Sequence, residues 1–252
     1  MINSLVFEAG DYRYVPGPFQ YSGGVAAQAG FALERVRFKT PVPIAAGFSV
    51  IESYLKNIGR PLTAFAACEL RSPAPFTEAE FIAFNRVYVG TLERWKIFSN
   101  DENPVARSNV CPEINPPSEP CFEAFTYTIQ SDLSDDQTSF VVAGSGEAVN
   151  EGVSTYKGNI VRLGDTSVTG MREKAKHVLG EMERRMKILN VGWQDATTTQ
   201  VYTVHDFHPF IADEIIKRGA APAGLTWYYA RPPVEDLDFE MDLRGIALER
   251  TI

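Results

Sequence analysis

Apolar residues at positions 44, 48, 51, 55 and 58 recur at steps of four and three, the spacing of one helical face. They predict a helix over about 43–58, with Pro43 in its first turn and Gly59 past its end. A second helix is expected from Thr77, where Glu80 three residues on completes a capping box. Phe81, Phe84, Tyr88, Leu92 and Trp95 form its stripe. A third runs over about 169–190, with Met171, Ala175, Val178, Met182, Met186 and Leu189 on one face, and a short fourth over 206–219. Short apolar runs predict strands at 19–27, 32–39, 62–70, 120–129, 139–149 and 194–204, and in LTWYYAR and DLDFEMDLRGIAL. YKGNIVRLG reads as a hairpin partner of 139–149, and 99–120 as a polar loop.

The order β-β-α-β-α-β-β therefore occurs twice. Residues 1–130 form one unit and 139–252 another, joined by a polar linker at 131–138. Helices apolar on a single stripe belong on one face of a mixed sheet, so each half is expected to be an α+β domain rather than a doubly wound one. In the last strand, Leu237, Phe239, Met241 and Leu243 alternate with Asp238, Glu240, Asp242 and Arg244. That alternation reads as a buried face backed by a solvated one, with a bulge at Gly245 where the phase shifts.

Composition narrows the function. The chain has 24 basic and 32 acidic residues, a net charge of −8, and no basic cluster, which argues against nucleic acid as a partner. Its three cysteines, Cys68, Cys111 and Cys121, make an odd number without a CxxC pair, so a reducing cytoplasm is expected rather than a disulfide framework. No signal peptide and no apolar run long enough to span a bilayer are read from it. A metal site is not expected, because His177, His205 and His208 lie far from the cysteines. His205 and His208 read as a helix cap and a surface residue. GSGEAVNEG matches no nucleotide-binding pattern.

Four stretches carry candidate chemistry: YSGG with Ser22 and Gly23, FIAFNRVY with Asn85, PVARSNV with Arg107 and Asn109, and FEAF with Glu123. Taken alone, Arg107 is either a solvated loop arginine or a planar fork able to take a carboxylate in two parallel hydrogen bonds. Small neighbours, Ala106 and Ser108, leave room for a ligand. Glu123 shares its strand face with Cys121, Phe125 and Tyr127. It is either a desolvated carboxylate suited to acid–base work, or a glutamate that reaches solvent or pairs with an arginine. Asn85 either faces a pocket or caps backbone, and Ser22-Gly23 could be turn chemistry alone.

Together these stretches resemble the RidA/YjgF family, which has a chorismate-mutase-like α+β fold. The resemblance makes the chain a tandem of two such domains, the first keeping the site motifs. In the second, Gly224 stands where the arginine would be, Ile211 at the asparagine and Arg244 near the glutamate. It implies an enamine or imine deaminase, or a related hydrolase, for a small carboxylate-bearing substrate, a 2-aminomuconate-like one among the possibilities. Arg107 would grip the carboxylate and Glu123 would activate water. Asn85, Asn109, Ser22 and Gly23 would shape the pocket, with no metal or organic cofactor. Many deaminating members carry a cysteine where Asn109 stands. The resemblance also implies a homotrimer with sites in clefts between neighbouring domains. The alternative is a non-catalytic binding or regulatory protein using the same pocket. The ribonuclease role sometimes attached to the family fits the net charge poorly.

Overall fold

In the computed structural model, residues 3–131, 138–149 and 157–252 are described. The expected linker falls mostly on residues 132–137, outside the described residues. The strands are β1 Leu5–Phe7, β2 Tyr12–Val15, β3 Gly24–Ala27, β4 Phe31–Pro43, β5 Phe65–Arg71, β6 Ala106–Pro112 and β7 Cys121–Gln130. They continue as β8 Phe140–Gly146, β9 Thr198–Tyr202, β10 Thr226–Tyr228, β11 Ala230–Arg231, β12 Glu240–Gly245 and β13 Leu248–Thr251. The helices are α1 Ile44–Asn57, α2 Glu78–Arg94, α3 Val168–Ile188 and a single short turn, α4, His208–Phe210.

The long helices form where local physics dictates. On α1, Phe48, Ile51 and Leu55 are buried, and Gly59 ends the segment at φ +71°. The capping box at Thr77 is present: the Glu80 amide donates to Thr77 Oγ1 at 3.3 Å and the Thr77 amide to the Glu80 carboxylate at 2.9 Å. Ser167 caps α3 through a single bond, its Oγ accepting the Gly170 amide at 3.2 Å. The helix expected over 206–219 is instead the α4 turn followed by a wide turn over 211–215 and a tight one over 216–218. Residues 157–164 provide a tight turn and one bridge, Ala148 to Ile160, rather than a full hairpin strand.

Two mixed sheets result. The first has the order β11-β6-β5-β7-β4-β13 and the second β1-β2-β3-β8-β12-β9-β10. They are not divided as the chain is. The strand expected at 19–27 forms only over Gly24–Ala27, and it pairs with β8 of the second half, Val25 opposite Val141. In return β13 lies parallel to β4, Arg250 opposite Val36, and β11 pairs with β6, Arg231 opposite Cys111. Each sheet thus contains strands from both halves. Phe48, Phe65, Leu92, Trp95 and Phe122 belong to the core between the first sheet and its helices. Met171, Val178, Met182, Phe140 and Met241 belong to the core beneath α3.

The opposite faces of the two sheets meet each other, and two expectations fail there. PVARSNV is not a loop: Ala106–Pro112 is a strand, buried from Ala106 through Cys111. Glu240, Asp242 and Arg244 are not solvated; they are only 4%, 4% and 8% exposed. The alternation in β12 is real, but its second face is covered by the other sheet instead of water. Partners replace solvent there. Tyr202 donates to Asp242 at 2.9 Å, Arg244 donates to Gln200 at 2.7 Å, and Arg35 grips Glu69 through two bonds of 2.6 and 2.8 Å. The irregularity in β12 lies between Met241 and Leu243 rather than at Gly245.

Candidate active site

β6 carries Arg107 into a small open cleft where the two halves face each other. Tyr21, Phe81, Arg107 and Asn109 come from the first half; Gly144, Ser145, Gly146, Leu237 and Glu240 come from the second. Arg107 is 2% exposed. Four rings surround its guanidinium, with centroids at 5.1 Å for Tyr21, 5.7 Å for Phe81, 5.7 Å for Phe84 and 4.9 Å for Tyr88. Three of these rings come from α2, whose face is fixed by the Thr77 cap. None of the guanidinium nitrogens has a hydrogen-bond partner among the described residues. Aromatic faces attract a cation but accept no strong hydrogen bond, so a planar fork of donors is held ready for an anion.

Asn109 adds a further donor. Its Oδ1 accepts from Ser72 at 2.9 Å, while Nδ2, buried in the same cleft, has no partner among the described residues. Asn85 is fully buried on the α2 face that carries Phe81 and Tyr88. Its Nδ2 donates to the Phe81 carbonyl at 2.6 Å and its Oδ1 is unpartnered among the described residues. Ser22 and Gly23 do not line the cleft. Their amides donate to the carbonyls of Val105 and Val15, and the Gly23 carbonyl accepts from Ala143. This pair ties the first sheet to the second and sets Tyr21 over Arg107.

Glu123 also lies elsewhere. β5 stands between β6 and β7. A register irregularity near Phe122 turns that ring onto α1, and the Glu123 carboxylate accepts from Arg37 Nε at 2.8 Å. The carboxylate that faces the cleft with Arg107 is Glu240, the residue sequence alternation assigned to water. Its burial, aided by the negative charges of Asp242 and Glu147, pushes it well above the usual carboxylate range, while Arg107 and Arg185 pull it down. Gly144 makes room for it: a Cβ there would sit 2.2 Å from Glu240 Oε1. A signal for Glu240 does exist in the chain. The pair Phe122-Glu123 of β7 is echoed by Phe239-Glu240 at the start of β12.

Buried polar groups hold these walls. Arg185 of α3 donates to the Ala143 carbonyl at 3.0 Å and to Ser145 Oγ at 3.3 Å. Glu147 accepts the amides of Asp238 and Phe239 at 2.6 and 3.1 Å, and fully buried Lys174 bridges Glu147 and Asp238. His205 joins this group, its Nε2 3.0 Å from Asp238 Oδ1. Among the described residues no cluster of His, Cys, Asp or Glu could hold a metal ion, and no helix is long and apolar enough to cross a membrane.

Two mixed sheets meet across a cleft in which Arg107 has no hydrogen-bond partner among the described residues, an arrangement chemically suited to a small anion. The solved chorismatase structure shares the fold, with a TM-score of 0.50 over 96% of this chain and 89% of that one, at 11% identity. The chain belongs to the family of the 2-aminomuconate deaminase CnbZ, whose sequence model matches residues 4–250. It is similar to the 2-amino-5-chloromuconate deaminase of Comamonas testosteroni, 50% identical over 252 residues and the full length of both chains.

Proposed function

We propose that this protein is a deaminase of the Rid type that hydrolyses the C–N bond of a 2-aminomuconate-like enamine, with Arg107 holding a substrate carboxylate. The observation that carries this reading is the buried guanidinium of Arg107, its three nitrogens unpartnered among the described residues and facing a cleft. A buried donor left without an acceptor costs roughly 1–3 kcal/mol, more when charged, and a ligand carboxylate removes that cost. Family membership and the relative's activity agree with it. Asn109 Nδ2 supplies a second donor, and the rings of Tyr21 and Phe81 suit a flat conjugated diene. The resemblance casts Glu123 as the group that activates water. Its ion pair with Arg37 and its place outside the cleft favour a structural role.

We read the chain further as a tandem of two RidA-like units, 1–130 and 139–252, that assembles as a homotrimer. The echo of Phe-Glu between β7 and β12 supports the duplication. The function is tested by ammonia release from 2-aminomuconate, wild type beside Arg107→Ala. Losing the partner of a bound carboxylate costs about 3 kcal/mol, so kcat/KM is expected to fall about 100-fold or more. Turnover that survives Arg107→Ala would falsify the assignment of the carboxylate site.

A further inference from the structure

We infer that Glu240, from the half of the chain without the arginine motif, is the catalytic acid and base at Arg107's cleft, making the site a composite of both halves. This rests on the deaminase reading above and deepens it. Arg107 and Glu240 line one cleft, and their strands come from different sheets. Gly144, the residue whose Cβ would meet Glu240 Oε1 at 2.2 Å, keeps that carboxylate's place open. The Phe239 amide beside it is fixed by Glu147, and Phe239 is buried beneath α3, so the residue is aimed by backbone and core together. Glu123, its counterpart in the first half, is occupied by Arg37. The two halves have thus divided one site between them: the first supplies the cation and the second the carboxyl group.

The charged groups around Glu240 are Asp242 on its own strand, Glu147 at the end of β8, Arg107 on β6 and Arg185 on α3. Burial and the two carboxylates outweigh the two arginines and favour a proton on Glu240. The chemistry then closes. Protonated Glu240 gives its proton to the enamine carbon, forming an iminium. As a carboxylate it takes a proton from water while the water oxygen bonds to the iminium carbon. It then gives that proton to the amine nitrogen as the C–N bond breaks, and recovers it from the oxygen as the C=O double bond forms. One water enters, one ammonia leaves, and Glu240 ends protonated as it began.

The test compares Glu240→Gln, Glu240→Asp, Glu123→Gln and Arg107→Ala in ammonia release across pH, and in binding of cis,cis-muconate, which bears the carboxylates but no amine. Glu240→Gln should lower kcat by about 100- to 10,000-fold, the usual range for a lost general acid–base. It should bind muconate within about threefold of wild type, which also shows that it folds. Glu240→Asp should recover part of kcat and the alkaline fall in rate that Glu240→Gln lacks. Arg107→Ala should lose muconate binding. Unchanged kcat and pH profile in Glu240→Gln overturn the inference alone, as does a loss of turnover confined to Glu123→Gln. Wild-type protein that releases no ammonia overturns the deaminase reading and this inference with it.

Discussion

Arg35 of the first half and Arg244 of the second both donate to one carboxylate, Glu249 of β13, at 3.1 Å and 2.7 Å. Both arginines are buried, but Glu249 itself is exposed, and Arg35 keeps Glu69 and Arg244 keeps Gln200 as partners. Glutamine loses the charge and keeps one acceptor oxygen, so Glu249→Gln is expected to lower unfolding stability by about 1 kcal/mol, read as a fall in urea midpoint at unchanged slope.

The exchange of strands predicts how the halves behave apart. Residues 1–130 alone would leave β1–β3 without β8, and 139–252 alone would leave β13 without β4. Neither fragment should unfold cooperatively by circular dichroism, whereas the two mixed should regain a sharp transition. A cooperative transition in either fragment by itself would contradict the pairing described.

Gly144→Ala should cost both activity and stability. Its new Cβ would sit 2.2 Å from Glu240 Oε1 and 3.2 Å from the backbone Cα of Ser108, in a site where Glu240 is only 4% exposed. The expected outcome is a loss of about 1–3 kcal/mol by thermal melt, the usual cost of overpacking, with ammonia release reduced at least tenfold as the carboxylate leaves its place.

The pH dependence of stability follows from sign. Burial raises Glu240 in the folded protein, so the stability linked to its protonation is present below the unfolded value of about 4.3 and is lost as pH rises through the folded one. Glu147 is also raised, and Asp242 stands at about 6, so both add slope in the same direction. The difference between wild type and Glu240→Gln isolates one group: the variant should gain on wild type as pH goes from 5 to 8. A difference that is flat with pH would show Glu240 to titrate normally.

Much of this was legible from sequence because it is local. Heptad-like spacing and the Thr77-Glu80 pair encode α1, α2 and α3 within a dozen residues of each site. Arg107 and Asn109 stand out in a short motif, although the sequence alone places that motif in a loop and the structure in a strand. Polar Arg107, Ser108 and Asn109 hide a strand when one expects an apolar run; alternation turns Ser108 toward the other sheet and Arg107 to the opposite side, where the rings of α2 bury its guanidinium. The burial of Glu240 is hidden for a related reason. Alternation tells which residues share a face, but not whether water or another sheet covers it. Strand exchange between halves is invisible to any window, since Val25 and Val141 are paired across more than a hundred residues.

The arginine cleft has a kinetic consequence. Deamination changes the carbon that bore the amine and leaves the substrate's carboxylates untouched. With Arg107 as the proposed holder of a carboxylate, the group it grips is still present in the oxo-acid formed, and product departure is assisted only by what is lost where the amine stood. Competitive product inhibition, with an inhibition constant close to the KM, is the expected outcome in initial-rate assays with added product, and simple carboxylate buffers should compete for the same guanidinium.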